Sequence, residues 1–259
     1  MRFCSLGSGS SGNAWVVEAR SGTTVSRVLV DCGFSRRELE ARLCRVGLNL
    51  GDLDAVFVTH EHGDHIGCAL TLARSHGLPL WMSRGTWRAL AEPALPPGLL
   101  GFARDGEPIA VGDLELHPFT VPHDAMEPLQ LCCSDGHHRL GVLTDVGSIT
   151  THLLGRLQKC DALVLECNHD RALLAQSRYP ASLKARIGGP HGHLANDLAA
   201  RILALCHHTG LQHVVAAHLS EQNNRAALAA LALAEACGAR PDDIAVADAS
   251  TGLDWRCVH

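Results

Sequence analysis

The sequence predicts one α/β domain, spanning residues 1–259, in which two packed sheets are covered by helices on their outer faces. Strand-length apolar segments first follow one another and later alternate with helical segments, without a regular βαβ repeat. Several of these segments are apolar throughout, which is typical of strands buried on both faces. The 259-residue chain is 46% apolar and has no linker or low-complexity tract, so one large core is expected.

The elements of the N-terminal half follow from short apolar runs and from glycines that end helices. Ser35 is a candidate N-cap for a helix that Gly47 ends, and Gly77 ends the next helix. The run LDAVFVT at 53–59 has strand length and stops where a histidine cluster begins. We predict strands at 2–6, 14–19, 27–31, 53–59, 79–83, 107–111 and 113–119, and helices at 35–47, at 65–77 and from Arg84.

The C-terminal half alternates strands and helices more regularly. The segment LANDLAARILALCHHTG at 194–210 has amphipathic helical spacing and ends in glycine. The segment 170–190 is less regular, with a short helix that starts at Pro180. We predict strands at 129–133, 139–144, 161–166, 211–218 and 243–248, and helices at 149–158, 194–210 and 223–238.

Charge and cysteine content limit the class of protein. The net charge is −5, so the chain lacks the overall basic character of a nucleic-acid packing protein. An enzyme with a local phosphate-binding groove stays compatible, because bound cations would add positive charge there. The eleven cysteines include no CxxC pair, which indicates buried thiols in a reducing compartment. Since no signal peptide or long apolar run is evident, we expect a cytoplasmic protein with no membrane segment.

The most informative segment is VTHEHGDHIG at 58–67, directly after a buried run. Histidine nitrogens and carboxylate oxygens are the ligands that zinc and similar cations take in proteins. The spacing places His60 and His62 on one side of an extended turn, and directs Asp64 and His65 toward a second position. With 17 His and 16 Asp in the chain, HxHxDH arises by chance about 4 times in 1,000 such chains. A metal site is therefore preferred to a charged surface turn.

Three further residues are candidates to complete a site for two cations. His123, Asp145 and His218 each follow an apolar, strand-length run. A single His or Asp in such a position is usually a loop residue. Three of them on a chain that also carries HxHxDH favour a shared site, because functional groups gather at the carboxyl ends of strands.

These seven residues resemble the ligand series of the metallo-β-lactamase-fold hydrolases, and the resemblance extends over essentially the whole chain. It implies a four-layer αββα sandwich with the site at one edge, between the sheets. It also implies two divalent metal ions, for which zinc is expected and manganese or iron are alternatives. One ion would be held by His60, His62 and His123, the other by Asp64, His65 and His218, with Asp145 bridging the two.

The segments SGSSGN, LECNHD, GHLAND and HLSEQNN resemble the YycJ/WalJ-type group, whose members are regarded as 5′→3′ exodeoxyribonucleases. The resemblance implies a DNA substrate that is hydrolysed by a hydroxide bridging two metal ions, with Asp64 orienting the water. GHLAND and AHLS also resemble ribonuclease Z. That likeness implies that His193 protonates the leaving oxygen while Glu166 positions its ring. A helix-capping loop residue is the alternative interpretation of His193.

Substrate contacts are expected on residues within these motifs. The loop GSGSSGN is either a flexible hairpin loop or a phosphate cradle, and its glycines and hydroxyls favour the cradle. His169 is a substrate contact, an outer-shell residue or a turn residue, and Asn223 or Asn224 caps the following helix or contacts substrate. The candidate contacts are Ser8, Ser10, Ser11, Asn13, His169, Ser220 and Asn223.

Two other functions are compatible with the sequence. A small-molecule phosphodiesterase or thioesterase of the same fold agrees with the acidic net charge, because a DNA enzyme needs several phosphate contacts. A non-catalytic metal-binding regulator is disfavoured, since all seven ligand positions are filled. The sequence gives no indication of the oligomeric state, and the clusters that could meet phosphates are limited to Arg36, Arg37, Lys184 and Arg186.

Overall fold

The structure, a computed structural model, describes every residue from Met1 to His259 and contains fourteen strands and nine α-helices. The strands are β1 (Arg2–Gly7), β2 (Ala14–Ser21), β3 (Thr24–Val30), β4 (Ala55–Phe57), β5 (Leu80–Met82), β6 (Leu100–Phe102), β7 (Ile109–Val111), β8 (Leu114–Thr120), β9 (Leu129–Ser134), β10 (Arg139–Leu143), β11 (Ala162–Glu166), β12 (His213–Ala217), β13 (Ala245–Val246) and β14 (Leu253–Cys257). The helices are α1 (Arg36–Arg45), α2 (Gly63–Ile66), α3 (Ala69–His76), α4 (Arg84–Ala89), α5 (Thr151–Leu157), α6 (Arg171–Gln176), α7 (Ala181–Ile187), α8 (Asn196–Cys206) and α9 (Ala226–Cys237). Short 3₁₀ turns occupy Leu50–Asp52 and Pro241–Asp243.

The strands form two seven-stranded mixed sheets, in the orders β14-β1-β2-β3-β4-β5-β6 and β13-β12-β11-β10-β9-β8-β7. In each sheet, an antiparallel part joins a parallel part: β3 pairs in parallel with β4, and β10 with β11. The first and last strands of the chain are neighbours, with Arg2 opposite Cys257. None of the helices combines the length and the apolar composition that a membrane span requires.

Alternate side chains of the central strands face different layers. In β11, Ala162 and Val164 belong to the core between the two sheets, whereas Leu163 and Leu165 pack toward the helices. Because both faces are buried, the strand is apolar throughout rather than alternating. A third core lies on the outer face of the other sheet and includes residues of α1 and α3. The predicted four-layer αββα sandwich is confirmed.

The structure departs from the predicted elements at a few points. The helix predicted at 65–77 is interrupted, because Gly67 has φ 32° and a Cβ there would lie 2.1 Å from the carbonyl oxygen of Cys32. The last long helix begins at Ala226, three residues later than predicted. The short elements β6, α6 and β14 were absent from the prediction, since segments of three to six residues carry little periodicity.

A buried carboxylate joins the first three strands at the end of the sheet away from the histidine cluster. Glu18 of β2 is 1% exposed and accepts hydrogen bonds from Arg2 at 2.7 Å, Arg20 at 3.0 Å and Arg27 at 2.7 Å. Burial by itself would raise the pKa of Glu18. The hydrogen bonds from the three guanidinium groups outweigh burial and lower that pKa to about 2.

We predict that Glu18→Gln lowers the free energy of unfolding at pH 7 by about 2–3 kcal/mol, because the amide loses the charge that the three arginines stabilise. The folded-state pKa lies below the ordinary value of 4.5, so this stabilisation is complete above pH 4.5 and is lost as the pH falls toward about 2. Urea denaturation of both proteins should therefore give a difference that is roughly half as large at pH 3 as at pH 7 and is mostly gone at pH 2.

The matched control is Glu40→Gln, which removes an exposed pair with Arg36 on α1. It should change the free energy of unfolding by less than about 0.5 kcal/mol. A Glu18→Gln effect that is equally small, or that does not change with pH, would contradict the assignment.

Candidate metal centre

The predicted metal ligands lie together where strands of both sheets end at one edge of the sandwich. Because the parallel strands of each sheet point the same way, the loops that follow them converge there. Four groups of His, Asp and Glu side chains at this edge place their ligand atoms within 4.8 Å of one another. Together they contain all seven predicted ligands and the predicted pair His193 and Glu166.

The turn that carries HEHGDH is docked against the ends of β2 and β3 by its backbone. The N–H of Asn13 donates to the carbonyl of Asp64 at 2.8 Å, and the N–H of Cys32 donates to that of His65 at 2.7 Å. A Cβ on Gly33 would lie 1.8 Å from the carbonyl oxygen of Asp64, so only glycine permits this approach. The position of the ligands is therefore fixed by contacts that the motif itself does not contain.

The first group brings three ring nitrogens together. Nδ1 of His62 lies 3.0 Å from Nε2 of His60 and 3.3 Å from Nε2 of His123. His123 donates through Nδ1 to the carbonyl of Gly192 at 3.0 Å, so in the neutral ring Nε2 carries the lone pair. Burial lowers the pKa of His60 and of His123, which keeps both rings neutral.

The protonation of His60 follows from its neighbour Thr59. The hydroxyl of Thr59 donates its single hydrogen to the Asp31 carboxylate at 3.0 Å, so it accepts from Nδ1 of His60 at 2.9 Å. The lone pair of His60 Nε2 then points at the other two rings. Lone pairs that face one another at these distances repel, and a cation between them removes the repulsion. The group is a suitable site for zinc or a similar ion.

The second group combines two rings with a carboxylate. Oδ2 of Asp64 lies 3.6 Å from Nε2 of His65 and 3.5 Å from Nε2 of His218. His65 donates through Nδ1 to Asp31 at 2.8 Å, and Nδ1 of His218 lies 3.1 Å from Glu166. When each ring is neutral, with its proton on Nδ1, Nε2 presents its lone pair to the space in front of Asp64.

Asp145 lies between the two groups. Its Oδ2 is 2.9 Å from Nε2 of His65 and its Oδ1 is 3.9 Å from Nε2 of His123. Oδ2 of Asp145 and Nε2 of His218 are buried and have no hydrogen-bond partner in the protein. Buried polar atoms are rarely left without a partner, and metal coordination would satisfy both. The residues present thus fit a site for two divalent cations.

Glu166 connects the cluster to His193. Its buried carboxylate accepts hydrogen bonds from Nδ1 of His193 at 2.7 Å and from the N–H groups of Val146 and Leu194 at 2.8 and 3.1 Å. Burial by itself would lower the pKa of His193, but Glu166 and Asp145 raise it to about 11. The side chain of His193 is 23% exposed and lines a cavity at this edge of the sandwich. Because Nδ1 is bound to Glu166, Nε2 is the ring nitrogen that can face this cavity.

A cavity of about 220 Å³ opens directly above the cluster. Residues of both groups form one wall, and Leu183, Arg186 and Ile187 of α7 form another. Arg186 pairs with Asp124 at 2.5 Å, which ties α7 to the loop that carries His123. The segment 171–192, which includes α7, contains Arg171, Arg178, Lys184 and Arg186 and no acidic residue. The cavity therefore has the candidate metal ligands on one side and, on the other, a helix from a segment whose charged residues are all basic and include Arg186.

The predicted substrate contacts divide into buried and exposed residues. Ser8 and Asn13 are buried, and Ser8 Oγ accepts a hydrogen bond from the N–H of His218 at 2.9 Å. Asn13 accepts from Ser8 and places its Nδ2 3.4 Å from Oδ2 of Asp64. The prediction that Ser8 and Asn13 contact the substrate is wrong. Both side chains are buried behind the candidate metal ligands, and their hydrogen bonds hold those ligands in place. Ser10 and Ser11 are exposed, and Ser10 lines the cavity.

The remaining candidates lie away from the cavity or behind it. His169 is 1% exposed and its Nδ1 has no hydrogen-bond partner, so burial excludes it as a substrate contact. Asn223 is also buried, and its side chain donates to Oγ of Ser220, which is partly exposed. The predicted capping role is wrong for both Asn223 and Asn224, since α9 is preceded by Arg225 and has no side-chain cap. Asn224 instead exchanges two hydrogen bonds with Asn196 of α8, at 2.8 and 2.9 Å.

Two functional residues were missed by sequence reasoning. Asp31 receives hydrogen bonds from Thr59 and His65, and it follows the apolar run VLV just as Asp145 follows VLT, which is the signal that could have identified it. Glu61 accepts from the N–H of Met126 at 2.7 Å and so helps to hold the loop after His123.

Comparisons with known proteins agree with this fold and site. A family profile described as the beta-lactamase superfamily domain matches residues 26–219. Exodeoxyribonuclease YycJ of Bacillus anthracis is 35% identical over 237 residues, which cover 91% of this chain and 88% of that protein. Exodeoxyribonuclease WalJ of Streptococcus pneumoniae is 30% identical, covering 98% of this chain and 92% of the relative. The metallo-beta-lactamase fold protein YhfI of Bacillus subtilis superimposes with a TM-score of 0.71 at 17% identity, with 96% of each chain covered.

We predict that Asp31→Asn weakens metal binding by about 10- to 100-fold, because the ring of His65 loses the buried charge that orients it. Asparagine is chosen since Asp31 has φ 61°, a conformation that asparagine tolerates. Metal content after dialysis against a graded chelator series is the measurement. Asp113→Asn, at a partly exposed carboxylate that binds Thr24, is the control and should retain metal. Equal retention by the two variants would show that Asp31 does not support the site.

Proposed function

Because this chain belongs to the β-lactamase superfamily, and within it to the YycJ/WalJ group, we propose that it is a metal-dependent exodeoxyribonuclease acting on DNA from the 5′ end. The observation that carries the proposal is the cluster of all seven candidate ligands with the His193–Glu166 pair, below a cavity that His62, Asp64, Asp145, His193 and His218 line on one side and Arg186 on the other. The names of its relatives, which match nearly the whole chain, support the substrate class.

Each candidate ligand has an assigned place in this proposal. His60, His62 and His123 would hold one divalent cation, Asp64, His65 and His218 the other, and Asp145 would contact both. The two ions would lower the pKa of a water molecule to give a hydroxide near neutral pH, and would offset the charge of the phosphate. The predominance of histidine favours zinc, while the two aspartates also suit manganese or iron. Asp64, whose side chain is 25% exposed, faces the cavity and can accept a proton from the attacking water.

His193 is proposed to protonate the oxygen that leaves the phosphorus. Hydrolysis of a phosphodiester expels an alkoxide, which is a poor leaving group unless it receives a proton. The ring of His193 is oriented by the carboxylate of Glu166, whose position is in turn fixed by two backbone N–H groups. Nε2 of His193 therefore has a defined direction toward the cavity, as a general acid requires.

The distribution of charge favours a nucleic acid over a small ester. The chain as a whole is acidic, yet its segment 171–192, from which Arg186 lines the cavity, carries four basic residues and no acidic residue. Arg171 and Arg186 each pair with an aspartate, whereas Arg178 pairs with no carboxylate and Lys184 donates only to the carbonyl of Ala175, so these two charges are available for phosphates beyond the one that is cleaved. A small phosphodiester or thioester would need no such extension. That alternative function is therefore the less favoured one.

Purified protein should contain about two zinc or manganese ions per chain and should release labelled mononucleotides in order from the 5′ end of DNA. Asp145→Ala should reduce both metal content and DNA hydrolysis, the latter by more than about 1,000-fold, because the two ions lose their common ligand. End-labelled DNA and RNA, incubated with zinc or manganese, provide the measurement. Retention of both properties by Asp145→Ala would refute the ligand assignment, and turnover of small esters alone would refute the nuclease.

His193→Ala should lower kcat on DNA by about 10²- to 10⁴-fold while the metal content stays unchanged. Bis(p-nitrophenyl) phosphate should be affected much less, since nitrophenolate leaves without being protonated. The comparison of the two substrates separates an acid from a residue that merely supports the fold. Loss of metal would instead identify His193 as a ligand, and equal slowing of both substrates would argue against the acid role.

A further inference from the structure

A second cavity adjoins the one above the metal ligands and has no role in the mechanism proposed so far. It measures about 190 Å³ and is lined by Ser10, Ser11, Tyr179, Ser220, Glu221 and Gln222. Ser10, in the turn between β1 and β2, lines both cavities, so the two are adjacent. A ligand held in the second cavity would thus continue directly from one whose phosphate lies above the cluster.

Tyr179 is the distinctive side chain of this cavity. It is the only tyrosine of the chain, and no other Phe, Trp or Tyr lines either cavity. Its single hydrogen bond within the protein runs from its own N–H to Oγ of Ser177, so the hydroxyl has no hydrogen-bond partner, and the residue is partly exposed. The following Pro180 restricts the backbone of Tyr179 to extended conformations, which limits the freedom that binding would have to remove.

The polar groups of the cavity indicate what an aromatic ring would meet there. The backbone N–H groups of Ser10 and Ser11 donate to no acceptor in the protein. Glu221, opposite them, is exposed and negatively charged, which disfavours a second phosphate in this cavity. A flat, uncharged group could stack on the ring of Tyr179. Its hydrogen-bond acceptors could meet the free N–H groups, and its donors could meet the carboxylate of Glu221. A nucleobase has these properties.

We propose that this cavity, which we call the Tyr179 subsite, binds the nucleobase adjacent to the hydrolysed phosphodiester, with the base stacked on Tyr179. The inference rests on the proposed nuclease function and concerns the base at the 5′ end of the strand, because that base has no stacking neighbour on its outer face and can present this face to the ring. Arg178 precedes Tyr179 in the chain and belongs to the basic segment, so the strand's phosphates would follow the cations while its base enters the subsite.

The test compares Tyr179→Ala, Tyr179→Phe and Tyr179→Trp with the wild-type protein on a single-stranded 5′-phosphorylated oligodeoxynucleotide. A second oligonucleotide has an abasic site next to the first hydrolysed bond. Tyr179→Ala should raise KM on the intact strand by about 5- to 100-fold, in line with the loss of one base–aromatic stack. Phenylalanine and tryptophan should restore it, because the ring and not the hydroxyl is required. On the abasic strand, wild type and Tyr179→Ala should be equal.

Two controls keep the outcomes distinct. Gln176→Ala changes an exposed residue of the same segment outside the cavity and should leave KM unchanged. Hydrolysis of bis(p-nitrophenyl) phosphate, which has no nucleobase, should be equal in wild type and Tyr179→Ala if the metal centre is intact. Digestion of the intact strand that Tyr179→Ala does not slow, or slowing that is equal on the abasic strand, would overturn the subsite alone. Hydrolysis of the small ester without any hydrolysis of oligonucleotides by the wild type would overturn the nuclease function and the subsite with it.

Discussion

Asp31 joins the ends of β3 and β4, because its buried carboxylate accepts hydrogen bonds from the backbone and hydroxyl of Thr59 and from the ring of His65. That one carboxylate determines which nitrogen of His65 is free and, through Thr59, which nitrogen of His60 is free. The two candidate metal groups therefore share a single positioning residue. Its backbone has φ 61°, an uncommon conformation that the surrounding contacts must maintain.

A second buried carboxylate, Glu166, has the same role on the other sheet. It holds His193 and His218 through their Nδ1 atoms, so one residue orients both a candidate ligand and the candidate acid. Each sheet thus contributes one buried acidic residue with the same role. This residue ends or directly follows a parallel strand, and it orients a histidine toward the gap between the sheets. Buried charges of this kind are costly unless they are fully hydrogen-bonded, and four donors surround Glu166.

The sequence predicted the layers of the fold and the residues that gather at its edge, because both follow from short-range patterns. Continuous apolar runs such as that of β11 indicated burial on two faces, and HxHxDH indicated a cation site. The contacts that are distant in sequence could not be predicted in this way. Ser8 and Asn13 were assigned to the substrate from their loop composition. Their buried position depends on how β1, β2 and β12 meet, with Ser8 bonded to His218 across 210 positions.

The pairing of β1 with β14 has a consequence for how the enzyme is made. Residues from both ends of the chain must meet before the first sheet is complete, and the hydrogen bond from His218 to Ser8 likewise joins residues that are far apart in the sequence. Contacts between such distant residues are slow to form, because a long loop must close first. During translation, the metal centre stays unassembled until synthesis has passed β12. The proposed nuclease therefore cannot assemble its complete set of metal ligands before His218, the last of them in the chain, has been synthesised.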